Sequence, residues 1–113
     1  MGNIRPARPS PRIEKGIILW YEGDEFEIVL ELDLTDADGE EIILGDTETV
    51  TVEIKDRNGA RVKQFVFSGN NYITLKFDEE TTELFRRGSY FYDISVDGAC
   101  KTTVANDNRI IVE

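Results

Sequence analysis

Phe26-Glu27-Ile28-Val29-Leu30-Glu31-Leu32-Asp33-Leu34 sets an apolar side chain at every even position and, Val29 apart, an acidic one at every odd position. A strand sends successive side chains to opposite faces, so this segment buries one face and wets the other. The same period of two returns twice. Val50, Val52 and Ile54 alternate with Thr49, Thr51, Glu53 and Lys55, and Tyr90, Tyr92, Ile94 and Val96 alternate around Asp93 and Ser95, with Asp97 outward. Shorter apolar runs at residues 17–21, 61–67, 72–77, 101–104 and 110–112 read as further strands. Asp38-Gly39, Asn58-Gly59 and Asp97-Gly98 supply residues tolerant of positive φ, as tight hairpin turns require, and Gly69-Asn70-Asn71 marks another reversal.

One segment departs from the pattern. Asp78-Glu79-Glu80-Thr81-Thr82-Glu83-Leu84-Phe85 suits a single helical turn with Asp78 as cap, acidic residues at its positive end and Gly88 beyond it as the stop. Strands recurring every 8–12 residues with one crossover turn imply two packed antiparallel sheets.

The chain of 113 residues is the size of one domain, with strands from residue 16 to residue 113. Residues 1–15 read as a flexible arm. Pro6, Pro9 and Pro11 favour extended backbone, and Arg5-Pro6-Ala7-Arg8-Pro9 contains the PxxP spacing that aromatic grooves dock. Net charge is −10; residues 1–16 carry Arg5, Arg8, Arg12 and Lys15 against Glu14, hence +3, which leaves −13 on the rest. Such a body repels phosphate backbones, so no nucleic-acid partner is expected. No apolar run approaches a membrane span and none near the start has signal-peptide length, so neither a membrane role nor a removable leader is expected.

Catalytic chemistry finds little support. The chain has no histidine, which removes the usual general base and metal ligand. Its single cysteine, Cys100, cannot form an internal disulfide and reads as a small apolar residue. Glu25, Glu27, Glu31 and Asp33 lie on one outward strand face, whereas glycoside hydrolysis needs carboxylates facing across a cleft. Asp36-Ala37-Asp38-Gly39-Glu40-Glu41 offers oxygens to calcium, but counted from Asp36 the glycine is fourth and position twelve is Thr47, unlike an EF-hand loop. No catalytic residue, cofactor or metal is therefore expected.

Gly88-Ser89-Tyr90-Phe91-Tyr92 resembles the start of the penultimate strand of immunoglobulin-like domains. The resemblance implies a corner at Gly88 and Tyr90, with the Tyr90 hydroxyl bonding back across the crossover and Tyr92 where a cysteine would stand. The wider order resembles the small β-sandwich domains of phage and prophage tail proteins, including the N-terminal domain of baseplate upper proteins. The pieces are Gly23-Asp24-Glu25-Phe26-Glu27-Ile28, Thr35-Asp36-Ala37-Asp38-Gly39, Val52-Glu53-Ile54-Lys55-Asp56, residues 88–96 and the closing Arg109-Ile110-Ile111-Val112. Asn106-Asp107-Asn108 departs from it, standing where a glycine would be usual in a last hairpin. The match covers residues 17–113.

Together these readings predict an all-β, antiparallel immunoglobulin-like sandwich of seven or eight strands with one short crossover helical turn. The resemblance implies a non-enzymatic structural component of a phage or prophage tail or baseplate, found in the virion, or in bacterial cytoplasm before assembly. Its partners would be other structural proteins or copies of itself as a homo-oligomer. Trp20 and Phe91 are the expected apolar contact anchors, and Arg5, Arg8 and Arg12 would engage an acidic neighbour. The alternative is a carbohydrate- or surface-binding module, which would present exposed coplanar aromatics.

Overall fold

The computed structural model describes residues 10–98 and 101–113. Eight strands and one helical turn follow in order: β1 Arg12–Glu14, β2 Ile17–Trp20, β3 Phe26–Glu31, β4 Thr49–Lys55, β5 Arg61–Ser68, β6 Tyr72–Phe77, α1 Glu79–Thr82, β7 Gly88–Asp97 and β8 Lys101–Val112. They form a six-stranded sheet, ordered β1-β2-β8-β7-β4-β5, and a two-stranded sheet of β3 and β6. The chain changes sheet between β2 and β3, β3 and β4, β5 and β6, and β6 and β7. The result is a sandwich-like arrangement of two sheets.

The three alternating rows meet in the middle. Ile28, Val50, Val52, Ile54, Tyr90, Tyr92, Ile94 and Val96 are all buried, together with Ile73, Leu75 and Phe77 from β6. An aromatic cluster closes one end: the Trp20 ring lies 5.0 Å from Phe26, 4.9 Å from Phe77 and 5.5 Å from Phe85. At this end the small sheet therefore lies over β2, both its strands meeting Trp20. Phe65 of β5 also sits 5.6 Å from Phe77, so β6 faces β5 as well.

Several details differ from the sequence-based expectation. The sheet begins inside the expected arm, because Lys15 and Gly16 both take positive φ and make a two-residue turn that pairs β1 with β2. β2 runs parallel to β8, with Ile18 opposite Ile110 and Trp20 opposite Val112, so one pair in the sandwich is not antiparallel. Asn106-Asp107-Asn108 is no hairpin: β8 runs through it and bulges against β7, with Asp107 at φ 53°. A short polar side chain tolerates that conformation, and here it kinks a strand instead of reversing one. At the β7–β8 reversal Asp97 pairs with Lys101, a longer connection than a two-residue turn; Cys100 lies outside the described residues. The helical turn ends at Glu83, five residues before Gly88, and its cap is the Asp78 carboxylate accepting the Thr81 amide at 2.9 Å. That bond is the first cause holding the Asp78 carboxyl below its ordinary range.

Strand 3 also ends at Glu31, earlier than the alternation suggests, yet Leu32 stays buried. Asn71 explains why. Its carboxamide donates to the Leu32 carbonyl (3.1 Å) and the Ile42 carbonyl (2.8 Å) and accepts the Leu44 amide (2.9 Å), stitching the β3–β4 connection to the start of β6. Asn71→Ala strands two carbonyls and an amide, and should cost about 1–3 kcal/mol in urea unfolding. An unchanged midpoint would show that water replaces all three bonds without loss.

Candidate protein-interaction site

Tyr90 and Tyr92 both point inward from β7, but their hydroxyls reach different partners. The Tyr90 hydroxyl donates to the Arg86 carbonyl four residues upstream at 2.8 Å, across the bend where Gly88 takes φ 150°. Tyr92 donates to the Gly16 carbonyl at 3.4 Å and accepts from Asn108 at 3.3 Å. These tyrosines fasten β7 to the crossover, to the β1–β2 turn and to β8; they belong to the frame.

Two of the expected contact residues are occupied within the chain. Trp20 has no solvent exposure, because β2 aligned with β8 turns Ile18 and Trp20 together into the core. It is a packing residue and not a contact anchor. Arg12 sits across from Leu19 on the outer side of the large sheet and ion-pairs with Glu113. Its guanidinium also lies 5.8 Å from the Tyr21 ring centre and 3.4 Å from Glu14, so it is not free for an acidic neighbour. Arg5 and Arg8 lie outside the described residues.

Phe91 keeps an outward position. It stands half-buried on β7 between Lys55 and Arg109, lining a notch of about 320 Å³ with Arg57, Gly59 and Asp107. Beside it, Lys55 Nζ approaches Asp93 at 2.6 Å, and the bulged Asp107 amide donates to the same carboxylate at 2.7 Å. Burial alone would push the Asp93 carboxyl up, but the Asp107 amide and the Lys55 ammonium outweigh it and hold it below the usual range. A depressed carboxyl stabilises the fold above its unfolded pKa of about 4 and loses that contribution as pH falls through the lower folded value. Asp93→Asn should therefore cost about 1 kcal/mol at pH 7, and the gap to the native protein should close below about pH 4. Urea titrations at pH 7 and pH 3 read this directly, and a gap that ignores pH would remove the ionised carboxylate from the structure's support.

The outer face of the small sheet carries the more unusual feature. Register pairs Val29 with Thr74 and Glu31 with Tyr72, so Val29 and Tyr72 are diagonal neighbours on one face. They are 58% and 59% exposed, and Ile43, on the connection that Asn71 ties down, is 71% exposed. Acidic groups frame them: the Tyr72 hydroxyl donates to Glu31 at 3.3 Å, and Glu31, then Glu41, are the charges that raise its pKa. Glu25, Glu27 and Asp33 are exposed nearby along the chain, and Lys76 is the cation on this face. One hint was visible in the sequence, since Val29 is the apolar residue that breaks the acidic odd row; Tyr72 lay in a run too short to assign a face.

Other expectations meet plain geometry. Asp36 spends its Oδ1 on the Asp38 and Glu40 amides, and Asp56 does the same for Asn58 and Ala60 in the β4–β5 turn. The acidic loop at Asp36 thus matches a turn that carries no acidic cluster. Among the described residues no group of three acidic or cysteine side chains is placed to hold a metal ion. Tyr72 is the one exposed aromatic there, while Phe26 and Phe77 stack inside the core, so no coplanar outer pair is formed. No helix of the described residues is long and apolar enough to cross a membrane. No protein-family model, curated protein or solved structure matches the chain.

Proposed function

We infer that this domain is a non-enzymatic structural part that works through protein–protein contacts, within a phage or prophage tail or baseplate. The supporting observation is the Val29–Tyr72 face, an exposed apolar pair flanked by Glu27 and Glu31 on a body that is otherwise strongly charged. Apolar groups at the centre supply burial, and the carboxylates around them select a basic partner. Phe91 in its notch is a second, smaller contact, and Arg5 and Arg8 add positive charge for an acidic surface. The tail setting rests on the resemblance over residues 17–113, and partners would be neighbouring structural proteins or further copies.

The double variant Val29→Asp with Tyr72→Asp tests the contact face. Cross-linking with the products of adjacent genes should capture a tail or baseplate protein, or a second copy, through the native chain. Capture should fall at least about tenfold in the variant at unchanged melting temperature. A native chain that stays strictly monomeric at high concentration and captures no neighbour overturns the proposal. Glycan binding lost on Tyr72→Ala would transfer the face to the carbohydrate-binding alternative.

A further inference from the structure

Charge is segregated along the chain. From Gly16 to Ile54 there is no lysine or arginine, and Asp36, Asp38, Glu40 and Glu41 fall within six residues. Lys55, Arg57, Arg61 and Lys63 follow at once. Opposite runs this near in sequence would neutralise each other if they folded side by side, but the fold sets them apart.

The acidic run stands on a small hairpin between β3 and β4. The Ile42 amide donates to the Leu34 carbonyl at 2.8 Å, the Asp36 amide donates to the Glu40 carbonyl at 2.9 Å, and Thr35 bridges Glu41. Asp36 closes the turn, and Asn71 holds the base through the Ile42 carbonyl and the Leu44 amide. A backbone tied at both ends has little ordering cost left to meet on binding. Glu40, Glu41 and Ile43 are exposed. Leu34, Thr35 and Ile42 share a hollow with Glu48, Val96 and Gly98, so the hairpin rises from the end of the sandwich where β4 begins.

Arginine gathers where β4 finishes. Arg57 borders two adjoining notches of about 320 Å³ each, one lined by Phe91 and Lys55, the other by Arg87 and Ser89. Arg57 and Arg87 are exposed and come from separate elements, the β4–β5 turn and the crossover before β7. Asp56 and Asp107 share these walls. The Asp56 Oδ1 accepts the Asn58 and Ala60 amides, and the Asp107 carboxylate lies 4.0 Å from Lys55. Thr49–Lys55 spans about 20 Å, so hairpin and notches cannot touch within one copy.

We propose that the acidic hairpin of one copy docks in the Arg57 notches of a second copy. Guanidinium groups pair with carboxylates through two parallel bonds, so Arg57 and Arg87 suit Glu40 and Glu41. Ile43 and the half-buried Phe91 supply apolar area beside those charges. A reciprocal pair and a running chain of copies use the same contact. The proposal rests on the reading of this domain as a part that works through protein contacts. It names a second copy as the partner of the Phe91 end and leaves the Val29–Tyr72 face to a neighbour.

Solution mass of the intact chain, followed across concentration, tests the contact. The native chain should associate. Arg57→Gln with Arg87→Gln, or Glu40→Gln with Glu41→Gln, should weaken association at least about tenfold at unchanged melting temperature. Each variant keeps one sound surface, so their equimolar mixture should regain one contact and pair one to one. A native chain that stays monomeric overturns the proposal, as do variants that associate like the native chain or a mixture that fails to pair. Val29→Asp with Tyr72→Asp should leave association between copies unchanged; its loss there would move the contact to that face and overturn the proposal. A monomeric native chain that still captures a neighbouring protein overturns the hairpin contact alone and keeps the function proposed above.

Discussion

Trp20→Ala is expected to destabilise the domain by about 3–5 kcal/mol, among the largest effects of any side-chain truncation here. The indole is fully buried and meets three rings, two of them from the small sheet and one, Phe85, from the crossover after α1. Removing it opens a cavity where both layers and the crossover converge. Trp20→Phe separates packing from polarity. The indole Nε1 is buried without a hydrogen-bond partner, so its loss forfeits no bond and the ring keeps most of the volume. That variant should cost less than about 1.5 kcal/mol. Urea unfolding of the two proteins measures the difference, and equal losses would mean that the indole contributes something other than packing.

Gly69→Ala should be comparably damaging for the opposite reason. A Cβ on Gly69 would stand 2.0 Å from the Gly45 carbonyl oxygen and 3.1 Å from that of Glu48. Both atoms are backbone, so no side chain can swing aside; either the β5–β6 reversal or the loop before β4 must move. The same reversal holds Asn71, whose bonds to residues 32, 42 and 44 depend on that closeness. Overpacking ordinarily costs about 1–3 kcal/mol, and a contact this short against backbone belongs at or above the upper end. Gly45→Ala meets only a glutamate side-chain oxygen at 3.4 Å and should be mild by comparison. If melting temperatures of the two alanine variants fall equally, the close approach is not what constrains Gly69.

The three alternating rows made the sandwich legible, because burial of one sheet face writes itself into sequence at period two. Long-range and local backbone geometry left weaker marks. Ile17-Ile18-Leu19-Trp20 is apolar throughout, so its inward parity shows only once β2 is aligned with β8. That run concealed both the parallel pair and the burial of Trp20. β1 was hidden because Lys15 stands where a turn of this kind usually has Asn, Asp or Gly, and the prolines before it argue for an arm. Asn106-Asp107-Asn108 looks like a turn because bulges and turns draw on the same tolerance of positive φ. Asn71 appeared as a reversal residue, and nothing in a linear pattern announces three bonds to a distant loop. The outer face followed the same rule: Val29 broke the acidic row visibly, but its diagonal neighbour Tyr72 needed the β3–β6 register.

The facing of the two sheets is tested most directly by proton NOEs from the single tryptophan. Strong cross-peaks from the Trp20 indole to the Phe77 and Phe85 rings, with Ile18 in contact with Ile110, are the result expected of β2 packed across from β6 and parallel to β8. An indole showing none of these contacts, and with the emission of a solvated tryptophan, would contradict the sandwich itself.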